Sequence, residues 1–181
     1  MKNWIFTMVL CSMFSLSFAQ FTFTKTKLED AISTKDFLYK QEVFTVENIP
    51  NFRMDAVKIT NLENFSSTSG LRVVHRKQVG KEQKTFYNFI DAQEIDGLAM
   101  ALQYMKTILK SKTIPSNYTE IKFTTLSGFQ LMLSTILDVQ NKLDWSFVVQ
   151  TNIENEKTVV QLSVDDIDKI QKTLDQAKSK I

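Results

Sequence analysis

Two segments of the chain, "FIDAQEIDGLAMALQYM" and "QLSVDDIDKIQKTLDQA", follow one plan. In the first, Ile95, Leu98, Leu102, Met105 and Leu109 step by three, four, three and four. In the second, Ile167, Ile170, Leu174, Ala177 and Ile181 take the same steps, each 72 residues later. Those steps place five apolar side chains on one face of a helix. Asp96 and Asp168 keep the same offset. The helix entries match too: Asp91 is followed by Glu94, and Ser163 by Asp166. A short polar side chain at a helix start can accept from orphan backbone N–H groups. An acid three residues on favours the positive helix end and reaches back to the cap. The acids of both segments therefore read as helix-start punctuation.

Four strand-like runs precede each helix. In the first half they are 37–46, 55–60, 71–78 and 85–90, ahead of a helix over about 92–110. In the second half they are 119–125, 129–137, 145–151 and 158–162, ahead of a helix to the end. Val57 and Ile59 alternate with Lys58 and Thr60, the period of a half-buried strand. Polar stretches and Pro50 punctuate the runs. The expected fold class is α+β: two β-β-β-β-α repeats whose antiparallel sheets pack on two helices. Residues 37–110 form the first repeat, 111–118 a connector around Pro115, and 119–181 the second, in one compact domain. Residues 20–36 read as a lead-in or a short helix. The first helix adds Ala99, Met100, Ala101, Tyr104 and Ile108 to its stripe, which predicts burial on more than one side. Polar strand faces are expected to look outward.

The chain begins "MKNWIFTMVLCSMFSLSFAQ". Lys2, an apolar run from Trp4 to Leu16, and Ser17 and Ala19 at the −3 and −1 positions describe a secretory signal, residues 1–19. The apolar run is short for a membrane span of roughly 20 residues. Cleavage after Ala19 removes Cys11, the only cysteine, and predicts a secreted or periplasmic protein with no stable membrane span. It would have no disulfide, no thiol nucleophile and no cysteine metal site. The charge would fall from +2 to +1, because Lys2 leaves 21 basic against 20 acidic residues. So balanced a chain lacks the broad basic footprint of a nucleic-acid or membrane binder.

No nucleophile, zinc or phosphate-loop motif occurs. "VDDID" at 164–168 lacks the glycine and later ligands of a calcium loop, so neither metal nor cofactor is expected. His75, the one histidine, alternates with Leu71 and Val73 and reads as a tucked structural residue. The densest charge lies at 70–84, where Arg72, Arg76, Lys77, Lys81 and Lys84 face one acid, Glu82. The aromatic run "TFYNF" follows it. Basic residues beside aromatics suit phosphate attraction plus base stacking, or an anionic glycan or lipid headgroup. The alternative is a solvated hairpin whose lysines guard a sheet edge. Candidate binding residues are Arg72, Arg76, Lys77, Tyr87 and Trp145, the last being equally suited to rim packing.

The order of elements over 37–181, with the strand-to-helix step at "QLSVDDIDKIQKTL", resembles the Whirly group of single-stranded nucleic-acid-binding proteins. There a four-strand-plus-helix unit is dimerised or duplicated. The resemblance implies oligonucleotide binding on a strand surface and carries over no individual residue. In style the chain is also similar to small secreted proteins of Bacteroidetes, whose signals often end in "AQ". Three functional classes follow: an exported non-catalytic binding or interaction module with an anionic ligand or protein partner, a single-strand or polyanion binder, and an enzyme with an unrecognised carboxylate or serine site.

Overall fold

The structure, a computed structural model, describes residues 23–137, 142–153, 155–163 and 165–181. The expected signal at 1–19 lies outside the described residues. Strands β1 (Tyr39–Ile49), β2 (Phe52–Asn61), β3 (Ser67–Val79) and β4 (Glu82–Asp91) form one sheet in chain order. Strands β5 (Glu120–Thr124), β6 (Gln130–Leu137), β7 (Leu143–Gln150) and β8 (Val159–Leu162) form the other. Every neighbouring pair is antiparallel. Helix α1 spans Lys27–Ser33, α2 Ile95–Ser111 and α3 Asp166–Lys178. The chain is thus α+β, with two antiparallel four-stranded sheets that match a duplicated β4α unit.

Pro50 ends β1 as expected, since it fixes its own backbone and holds Ile49 extended. Asn51 completes the turn at φ 71°, a conformation that Asn tolerates better than most side chains. The lead-in resolves as a short helix, α1.

One hydrophobic cluster takes the inner faces of both sheets and the stripes of both long helices. Leu71, Val73 and Ile90 contribute from the first sheet, Leu131, Phe147 and Val149 from the second. Of the ten stripe positions, eight are buried. The last of each helix, Leu109 and Ile181, is partly buried against the same cluster. The 72-residue offset therefore extends to the degree of burial. The helices also join across the repeats: Asp96 pairs with Lys178, and Lys106 with Asp168. Gly97 lets α2 approach the second sheet, because a Cβ there would lie 3.2 Å from the Phe123 ring.

Three expectations change. Met100 and Tyr104 do not extend the buried face of α2; they are 73% and 61% exposed. The helix meets the shared core along one stripe, and its opposite side faces outward. The outer face of the first sheet is not purely polar. Leu28 of α1 buries there against Val57 and Ile59, with Tyr39 and Phe89 beside them. Each such fully buried aliphatic side chain contributes roughly 1.5–3 kcal/mol. Finally, the two helix entries differ in capping: Asp91 and Glu94 form the full reciprocal capping box, whereas Ser163 and Asp166 form only the half in which the acid reaches back. The Asp91 N–H donates to Glu94 Oε2 at 3.3 Å, and the Ser163 N–H to Asp166 Oδ2 at 3.0 Å. The Asp91 carboxylate also accepts from the backbone N–H groups of Lys27 and Leu28 at 3.0 and 3.2 Å. It caps α1, which is why α1 sits where it does. Ser163 Oγ donates to Asp166 instead of accepting from the backbone.

Candidate functional site

Strand β3 pairs with β2 only as far as His75, opposite Phe52. Beyond that point β3 pairs with β4 alone, from Arg76–Thr85 to Val79–Glu82. The result is a two-stranded ribbon that overhangs the sheet. Gly80 turns it at φ 64°, a backbone conformation that favours glycine. The ribbon holds Arg76, Lys77, Lys81 and Lys84 against Glu82, a local net charge of +3 (four minus one).

Strand alternation sorts these charges onto two faces. Lys77 lies directly opposite Lys84 on the face shared with His75 and Phe86. Like charges directly opposite each other are unfavourable by themselves. Among the described residues neither lysine has an ion-pair partner, and the same holds for Arg76 and Lys81. Arg76 stands on the other face, two residues along β3 from Val74, whose cross-strand neighbour is Tyr87. Tyr87 is 57% exposed. Arg53 lies opposite Val74 on the remaining side, so Arg53, Val74 and Tyr87 form one row across three strands. Arg53 and Arg76 line one hollow with Ile49, Phe52 and Val74. This outer face thus offers the Arg76 guanidinium, an apolar floor and an open phenol ring.

Arg72 occupies a different position. Its Nε and Nη2 donate to Asp55 Oδ2 at 3.2 and 2.8 Å. Arg53 contacts the same carboxylate, Nε to Oδ1 at 2.9 Å. Asp55 is fully buried on the outer sheet face, and two guanidinium groups offset the cost of burying it. Arg72 is committed to this structural ion pair. Trp145 lies on the second sheet, packs against the main core, and donates from Nε1 to the Thr113 carbonyl at 3.3 Å. The structure therefore brings Arg76 and Tyr87 together, puts Lys77 on the opposite ribbon face, and separates Trp145 from all of them. Lys84 was not among the sequence-based candidates. Its charge is legible, but its place opposite Lys77 depends on the β3–β4 register.

His75 is buried at the base of the ribbon, with Nδ1 2.8 Å from the Asn51 carbonyl and its ring stacked on Phe86. Burial holds its imidazole below the ordinary range, and the nearby Lys77 charge acts the same way. The Asn51 carbonyl, whose influence exceeds that of Lys77, and the Lys157 backbone pull in the other direction without overcoming burial. At the second helix entry, Lys169 and then Ser163 hold the Asp166 carboxyl below its usual value. Among the described residues no three His, Cys, Asp or Glu side chains gather to hold a metal ion. No described helix is long and apolar enough to cross a membrane.

No protein-family model, no curated protein and no solved structure matches this chain.

Proposed function

We propose that this protein is an exported, non-catalytic binding module that holds a polyanion on the β3–β4 ribbon. The observation that carries this reading is the facing pair Lys77 and Lys84, neither of which has an ion-pair partner among the described residues, on a ribbon that projects past β2. Such a pair costs folding energy in isolation and gains it back when an anionic group lies across it. Arg76 and Tyr87 on the other face add a guanidinium and a stacking ring. The likeness of the repeat plan to the Whirly group supports a single-stranded chain as one candidate. An expected export signal and a near-neutral total charge support an acidic glycan as another.

The test is titration of heparin and of labelled oligo-dT against the chain from Gln20 onward, over a range of salt. Binding through three or four ribbon cations gives an affinity that falls steeply with salt. Lys77→Ala/Lys84→Ala removes most of it and leaves the fold intact, because both side chains are exposed. Heparin binding without oligo-dT binding selects a glycan. Absence of both at low salt, or binding indifferent to the double change, rejects the reading.

A further inference from the structure

The edges of the two sheets differ in how they end. Strands β5 and β8 have only five and four residues. Strand β4 is an edge lined with charge at its ribbon end. Strand β1 is an edge of 11 residues, with a register irregularity only between Thr45 and Glu47. The stretch from Tyr39 to Phe44 is regular and contains no proline. Such an edge presents unpaired N–H and C=O groups that another strand can use.

The direction of those groups follows from one bond. The Leu62 N–H donates to the Leu38 carbonyl at 3.0 Å, continuing the β1–β2 ladder by one pair. In an antiparallel ladder the hydrogen-bonded pairs alternate. Lys40, Glu42 and Phe44 therefore turn their backbone groups to β2, opposite Thr60, Lys58 and Ala56. Tyr39, Gln41 and Val43 turn theirs to the free edge. Among the described residues no backbone bond outside the ladder reaches those three.

We propose that two copies of this chain pair through their β1 edges, antiparallel, with Gln41 opposite Gln41 on the two-fold axis. In this register Lys40 meets Glu42 of the second copy, and Glu42 meets its Lys40. Tyr39 meets Val43, and Leu38 meets Phe44. The outward-directed residues meet outward-directed residues, so every edge N–H from Tyr39 to Val43 finds an acceptor. Leu38, 65% exposed, and Phe44 cover each other on one face. Charge selects this register over its neighbours. Sliding by one step in either direction that keeps the hydrogen-bond pattern sets Lys40 against Lys40 or Glu42 against Glu42. Within one copy Lys40 Nζ already lies 2.9 Å from Glu42 Oε1, so pairing builds a four-charge cluster of alternating sign. The contact is self-complementary, as a two-fold interface must be, and it joins two four-stranded sheets into one of eight.

The experiment uses the chain from Gln20 onward, which contains every described element and lacks Cys11. Sedimentation across concentration should show a monomer–dimer equilibrium. Lys40→Glu places four acids together and should raise the dissociation constant roughly tenfold or more. Lys40→Glu/Glu42→Lys restores the complementarity and should restore the dimer. Circular dichroism on each variant separates lost pairing from lost folding. Mild oxidation of Gln41→Cys should cross-link two copies, since hydrogen-bonded antiparallel partners stand about 5.5 Å apart at Cα, within disulfide reach. A chain that stays monomeric at millimolar concentration overturns the proposal. So does a dimer that Lys40→Glu leaves unchanged, or one that the double exchange fails to restore.

Discussion

The carboxylate of Asp96 on α2 pairs with the ammonium of Lys178 on α3, and the same contact is made a second time with the partners exchanged. Lys106 lies ten residues after Asp96 and pairs with Asp168, which stands ten before Lys178. Adding 72 to Asp96 gives Asp168, and adding 72 to Lys106 gives Lys178. Two equivalent residues thus make reciprocal contacts, which is the signature of a two-fold relation between surfaces. Within one chain this describes two repeats that pack like the halves of a homodimer. The antiparallel helix pair at their junction carries the relation.

This reciprocity predicts matching energetics. Asp96 and Asp168 are both largely exposed, so each bridge contributes modestly. Double-mutant cycles on Asp96/Lys178 and on Lys106/Asp168 should each give a coupling of about 0.2–1 kcal/mol. A strong coupling at one bridge with none at the other contradicts the two-fold relation.

Asp91 predicts a different kind of effect, because its carboxylate serves α1 from 63 residues away. Replacing it by alanine leaves the buried Leu28 N–H without its acceptor, at a cost of about 1–3 kcal/mol. The loss is local first. Hydrogen exchange at Lys27 and Leu28 should accelerate, and limited proteolysis should cut near residues 23–38, before the shared core opens. Leu28→Ala should release the same segment by removing its apolar anchor, at about 2–3 kcal/mol. Retained amide protection of α1 in Asp91→Ala is the outcome that counts against this account.

Arg72 should behave as a structural residue. Removing its guanidinium leaves Asp55 buried with Arg53 alone, and breaking such a pair costs about 3 kcal/mol. Asp55→Ala strands two cations and should cost a similar amount. Urea unfolding of Arg72→Ala should show that loss, whereas heparin affinity measured on the folded protein should stay close to the parent value. The opposite pattern, unchanged stability with lost binding, would return Arg72 to the binding surface.

The difference between Arg72 and Lys84 shows what a single sequence can convey. Helix faces were legible because their period is local: Ile95 to Leu109 needs no knowledge of the rest of the chain. Strand existence was legible for the same reason. The partner of Arg72 was not, because Asp55 reaches it only once β2 and β3 align Asp55 with Arg72. The seven residues of α1 have little intrinsic stability, so the sequence left residues 20–36 open between a lead-in and a short helix. It forms where Asp91 and the Val57–Ile59 surface meet it. Met100 and Tyr104 looked apolar enough to be buried, yet burial depends on whether a second surface reaches that side of α2.

His75 provides a pH test in a window of its own. The imidazole is almost fully buried, and its Nε2 has no hydrogen-bond partner among the described residues. With Nδ1 donating to the Asn51 carbonyl, a further proton would go to Nε2 and place a charge in the core near Lys77. Burial therefore lowers the folded-state pKa below the ordinary 6.5. In the unfolded chain the same side chain protonates freely near that value. The unfolded state then binds more protons as pH falls below about 6.5. Stability from a neutral His75 is fully present above that point and is lost as pH drops toward the folded value. Asp166, Glu42 and Glu120 are also lowered, but from ordinary carboxyl values of 3.8 and 4.5, so their losses begin in more acidic solution. Urea unfolding at about pH 7.5 and about pH 5.5 should show a loss in the parent chain that His75→Phe largely removes. Phenylalanine keeps the ring against Phe86 and has no group to protonate. An equal loss in both proteins would assign the acid sensitivity elsewhere.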